Sequence, residues 1–131
     1  MAATTPEMND FAKEYFAACL ARDVEYIAAH SVEDEESDFI GFHSGAHIDR
    51  SIADVFDSIG PLDPASCVDS NPSGWVIGDV AWLIDFPRGV LPNGEALPDP
   101  VRVTFIMRRV GGQWKMAHWH LSESVERDLS A

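Results

Sequence analysis

Near the start of the chain, Phe11, Tyr15, Phe16, Cys19 and Leu20 recur at the spacing of one helix face. Thr5-Pro6-Glu7 supplies the start: a hydroxyl to cap orphan N–H groups, a proline at the first helical position, and an acid at the positive end of the dipole. Asp23 can cap a second short helix in which Val24, Ile27 and Ala28 face one way. Residues 38–42 are short, apolar and β-prone, and Ser44-Gly45 breaks them. Asp49 then restarts a helix with Ile52, Val55, Phe56 and Ile59 in phase, stopped by Gly60-Pro61. Beyond Pro61 the period becomes two. Residues 65–70, 74–86, 100–110 and 113–122 read as strands, and Gly111-Gly112 between the last two is a tight-hairpin signal.

Helices first and an antiparallel sheet afterwards predict an α+β domain whose helices cover one face of the sheet. At 131 residues, two domains would each fall near the size where a core becomes marginal, so one domain over 1–131 is expected, with its core at about 6–122. The formal charge of −13 argues against nucleic acid and anionic membrane surfaces as partners. Glu33, Asp34, Glu35, Glu36 and Asp38 concentrate that charge without the alternating acids and central glycine of a calcium loop, and read as a solvated turn. Cys19 and Cys67 read as two buried thiols, and neither a secretory leader nor a bilayer-length apolar run is present. A cytoplasmic protein is the expectation.

Three segments resemble the ketosteroid-isomerase-like superfamily, also called nuclear transport factor 2-like, and within it the SnoaL-like group. They are the helix pair Phe11–Val32 running into Asp34, the turn and helix His47–Ile59, and the hairpin Val101–Ser122. The hairpin is the most specific, with an apolar strand, a glycine turn, and Trp114-Lys115-x-x-His118-x-His120 before Ser122. Its ending also looks like that of the association domains of calcium/calmodulin-dependent kinases. The resemblance implies a cone, in which a strongly curved antiparallel sheet wraps the first helix and opens on a cavity. It also implies a homodimer through the outer sheet face. His47-Ile48-Asp49-Arg50 departs from the glycine-containing turn usual in the family.

Alternation sets Val103, Phe105 and Met107 toward the cavity, and Ala81, Leu83 and Asp85 with them. On the last strand it sets Lys115, Ala117, Trp119 and Leu121 inward, and Trp114, Met116, His118 and His120 outward. Asp85 is then an acid among apolar walls, where desolvation would fit it for general acid or base work; the plain reading is a solvated acid at the rim. By resemblance, Tyr15 aligns with the tyrosine that donates a hydrogen bond to the oxyanion of ketosteroid isomerases. Its plain reading is a core aromatic. The family's acids correspond to Phe39 (with Asp38 beside it), Phe105 and Leu121, which disfavours true ketosteroid isomerase or aldol-type cyclase chemistry.

His43 and His47, with His118 and His120, could offer imidazoles to zinc, but the two pairs fall in different parts of the expected fold, and no metal is expected. The leading expectation is a cone that binds a small, largely apolar molecule and needs no cofactor, acting as an isomerase, dehydratase or hydrolase. Tyr15 and Asp85 would carry the chemistry, with Phe39, Phe42, Phe105, Met107, Trp119 and Leu121 lining the pocket. The rival is a non-catalytic association module built on Trp82, Ile106, Trp114, Met116, His118 and His120.

Overall fold

The computed structural model of the protein describes residues 1–32, 41–44, 47–49 and 67–122, the two short central stretches by their strand pairing. Helix α1 spans Pro6–Ala21. Its cap is the expected one, since Thr5 Oγ1 accepts from the Met8 N–H, Pro6 opens the helix and Glu7 lies in the first turn. Arg22 ends it in the left-handed region (φ 55°), with its N–H turned back to the carbonyls of Ala18 and Cys19. Helix α2 spans Val24–His30 and is capped by Asp23, whose Oδ1 accepts from the Tyr26 N–H at 3.2 Å. Ile27 is buried, but Val24 is exposed, so the second helix buries a narrower face than its pattern suggested.

Among the described residues there are nine strands: β1 (Ala2–Ala3), β2 (Gly41–Ser44), β3 (His47–Asp49), β4 (Cys67–Val68), β5 (Ser73–Ile77), β6 (Val80–Asp85), β7 (Arg88–Gly89), β8 (Arg102–Val110) and β9 (Gln113–Ser122). Seven form one sheet in the order β1-β5-β6-β8-β9-β2-β3, and β4 pairs with β7 apart from it. Among the described strands the pairings are antiparallel except β2 with β9, so the sheet is mostly, not wholly, antiparallel. Among the described residues no helix is long and apolar enough to cross a membrane.

Several elements depart from the sequence expectation. The single strand expected over 74–86 is a hairpin, turning at Gly78-Asp79 with glycine first and at positive φ (54°), which suits a right-twisted two-residue connection. Arg109 holds that turn from β8, its Nη2 2.8 Å from Asp79 Oδ1. Asp49 ends β3; the helix expected from it, through Ile52 to Ile59, lies outside the described residues. Ala2–Ala3 adds an edge strand to β5 that no pattern announced. Beside it, the Gly74 N–H donates to Thr4 Oγ1 at 3.0 Å; glycine is required at this position by the other neighbour, β6, since a Cβ would collide with the Trp82 carbonyl oxygen. The Gly111-Gly112 hairpin forms as expected, both glycines at positive φ.

Register arranges the sheet in rows. On the inner face Val76, Ala81, Met107 and Met116 stand side by side, then Gly74, Leu83, Phe105 and Trp119, then Asp85, Val103 and Leu121. Phe16 of α1 meets two of these, edge-on to Phe105 (6.3 Å) and to Trp119 (6.2 Å). One correction concerns β9. A bulge at Ala117 breaks the register between Ile106 and Met107, so the alternation changes phase. Met116 is therefore buried in the core, not outward, and Trp114 packs against that core beneath the Arg109 guanidinium. The outer rows run Trp75, Trp82, Ile106, His118 and Ser73, Ile84, Thr104, His120.

Candidate functional site

Two polar groups stand on the otherwise apolar inner side. Tyr15 is 1% exposed on the α1 face turned to α2, among Phe11 and Tyr26. Its hydroxyl lies 2.7 Å from Ser31 Oγ, and Ser31 in turn donates to the Ile27 carbonyl at 2.6 Å. A serine has one hydroxyl proton, so the proton between the two is the tyrosine's, and the chain runs Tyr15 to Ser31 to Ile27. Burial, reinforced by Cys19 and opposed by the Ser31 bond, holds the phenol protonated well above its ordinary range. Burial likewise pushes the Cys19 thiol up to about 12.

Asp85 ends β6 and is 1% exposed. Its inward direction follows the alternation expected from sequence. Both oxygens are engaged: Oδ1 accepts from the N–H groups of Asn71 (2.8 Å) and Phe86 (2.9 Å), and Oδ2 from Ser70 Oγ (2.7 Å). The carboxylate thereby fixes the turn at Ser70-Asn71, which enters β5 just after Asp69 takes a left-handed conformation (φ 61°).

Tyr15 and Asp85 are not brought together. Ser31 bridges to Met116, which stands opposite Met107, whereas Asp85 stands opposite Val103. Four strand residues separate those levels, roughly 13 Å at about 3.3 Å each. Phe105 and Met107 are wholly buried, and Trp119 and Leu121 nearly so (4% and 8%), so a ligand reaching them must displace packed side chains. Phe42 lies on β2 opposite Leu121 and Asp49, and Phe39 lies outside the described residues. The histidine pairs are closer than expected, because β2 joins β9 with His43 opposite Ser122 and Gly41 opposite His120. Among the described residues no three His, Cys, Asp or Glu side chains converge as metal ligands.

Sequence reasoning missed Ser31 and Ser70. A serine four residues after Ile27 is a back-bonding signal of its own; for Ser70 the only sign was its place in a turn.

The outer face is a second candidate. Trp75, Ile84 and Phe86 are about half exposed there (46%, 46% and 54%), beside Trp82. With Ala3 and Thr4 at the sheet edge they border an open groove of about 460 Å³.

The two helices and the curved, mostly antiparallel sheet define an α+β cone of the NTF2-like kind. The chain belongs to the SnoaL-like domain family, whose model matches residues 8–126. No curated protein matches it in sequence. Among solved structures it is similar to the association domain of C. elegans CaMKII, at 16% identity and a TM-score of 0.60 over 89% of this chain and 93% of that one. It is also similar to a candidate dehydratase of the NTF2-like family from Streptomyces avermitilis (20%, TM-score 0.57, 93% and 100% covered). A third is a candidate ketosteroid isomerase from Parabacteroides distasonis (19%, TM-score 0.60, 92% and 89% covered).

Proposed function

We propose that this chain is a self-associating SnoaL-like domain that pairs with a second copy through the outer face of its sheet. The carrying observation is the apolar character of that face along β5 and β6, where a one-sided antiparallel sheet would present polar residues to water. Contiguous exposed apolar patches of this kind are few on a soluble monomer and are often functional. The likeness to an association domain adds support at the level of fold. Sedimentation equilibrium across a hundredfold concentration range is the test: a dimer mass is expected, and a monomer mass throughout would end the reading.

A second reading is favoured by Tyr15 and Asp85, two polar groups held on an apolar interior. In it the cone takes a small, largely apolar molecule and acts on it without a cofactor, by isomerisation, dehydration or hydrolysis. Phe39, Phe42, Phe105, Met107, Trp119 and Leu121 would line the space as it opens. The names of two similar structures, candidate dehydratase and candidate ketosteroid isomerase, agree in class. Because the Tyr15 proton is already given to Ser31, an incoming ligand oxygen must take Ser31's place to receive it. A thermal-shift screen of small apolar ketones and enones tests this: a hit whose stabilisation is lost in Tyr15→Phe and Asp85→Asn supports it, and a screen without hits removes its support.

A further inference from the structure

Resting on the self-association reading, we infer that two copies of this chain meet off-centre, through the β5–β6 hairpin and the N-terminal edge beside it, leaving the β8–β9 half of the same face outside the contact.

The two halves of the outer face differ in kind. On the β5–β6 side the outward positions are Trp75, Ile77, Val80, Trp82 and Ile84, continued by Phe86, and all but Trp82 are at least 42% exposed. On the β8–β9 side the outward positions opposite them are Thr104, Arg108, His118 and His120, with Ile106 as the apolar exception. A continuous apolar surface thus stops at the middle of the sheet. A dimer centred on the sheet axis would cover the polar half and leave Trp75 and Phe86 in water.

The area fits the off-centre arrangement. A buried aromatic covers ~150–250 Å², so Trp75 and Phe86 at half exposure offer roughly 100 Å² each. Three half-exposed aliphatics offer roughly 50 Å² each at ~25 cal/mol per Å² and 1.5–3 kcal/mol per side chain. With the visible part of Trp82 the apolar surface is about 400 Å². One side of a standard interface buries about 800 Å², of which a little over half is non-polar. The hairpin, with Ala3, Thr4 and Ser73 as its polar rim, therefore supplies about what one partner of a stable dimer needs, and the β8–β9 half is not required. The groove beside Phe86 gives this region relief into which a partner side chain can fit.

A two-fold axis near the cross-strand pair Trp75–Trp82 would set this row against the same row of the second copy, as a self-complementary interface requires. Residues nearest the axis then behave as hot spots and residues on β8–β9 do not.

The experiment compares Ile84→Arg and Phe86→Ser with His120→Arg in the full chain, reading the dimer dissociation constant by sedimentation and checking folding by circular dichroism. The first two should weaken the dimer about 30-fold or more while remaining folded, and His120→Arg should change it less than about threefold. Loss of the dimer in His120→Arg with Ile84→Arg and Phe86→Ser unaffected would overturn the off-centre contact and leave self-association standing. A wild-type monomer at every concentration would remove both.

Discussion

Leu83 and Ile84 are neighbours on β6, yet one is wholly buried and the other 46% exposed. The same contrast separates Ala81 from Val80. Both faces of this strand are apolar, so the difference lies in what covers them. The inner face has α1, with Phe16 set edge-on against Phe105 and Trp119. On the outer face of the hairpin, the groove walled by Trp75, Trp82, Ile84 and Phe86 is joined only at one edge, among the described residues, by another element, at Ala3 and Thr4. Apolarity alone therefore does not define a core; a second layer does.

Substitutions can break that contrast, and the largest effect belongs inside. Phe105→Ala removes a fully buried ring and should cost about 3–5 kcal/mol in urea unfolding, without altering which surface pairs. A loss under about 1 kcal/mol would mean that the inner face is not packed as described. Next comes Asp85→Ala, which strips the acceptor from Ser70 and from the N–H groups of Asn71 and Phe86 and should cost about 3 kcal/mol. An increase in stability there would instead mark a carboxylate kept for function at the expense of the fold.

Alkali should act on the helix pair, where Tyr15, Cys19 and Tyr26 all titrate above their ordinary values. The Cys19 thiol, buried, ionises only at about 12 in the folded chain against an ordinary 9.0. The unfolded chain therefore loses its proton first, so stability is full below pH 9 and declines as pH rises from 9 toward 12. Cys19→Ala should lessen that decline between pH 9 and 10, measured by unfolding midpoints at pH 8, 9, 10 and 11, while the part above pH 10 persists because burial also holds the Tyr15 and Tyr26 phenols above their ordinary range. Tyr15→Phe removes one hydrogen bond between the helices and should cost about 1 kcal/mol, seen as faster amide exchange in α2. Smallest of all is the effect of Ile84→Arg on the stability of the single chain, within about 0.5 kcal/mol when measured at concentrations that favour the monomer.

The first helix and the terminal hairpin were legible because their signals are local: a capping threonine before proline, and two glycines between long strands. The inward set Val103, Phe105 and Met107, and the inward Asp85, were also readable from alternation. The turn at Gly78-Asp79 was legible as well, because a Gly-Asp pair between two apolar, β-prone runs is a two-residue hairpin signal; reading 74–86 as one strand passed over it, the runs on either side being apolar on both faces. The bulge at Ala117 was hidden, since Met116 and Ala117 differ too little in character to reveal a change of phase. The engaged state of Asp85 and Tyr15 could not be read at all. Their partners Ser70 and Ser31 lie 15 and 16 residues away and are delivered by the fold.

The parallel pairing of β2 with β9 has a consequence for how the sheet is assembled. Gly41 finds its neighbour at His120, and Ala2 finds its own at Val76, so neither strand can join until a long stretch of later chain has been made and has closed a large loop. Such distant pairings slow folding. During synthesis, early helices form long before the strands that will cover them. In the interval the aromatic face of α1, with Phe16, stands without the Phe105 and Trp119 that bury it, and such exposed surface is where a folding chain aggregates.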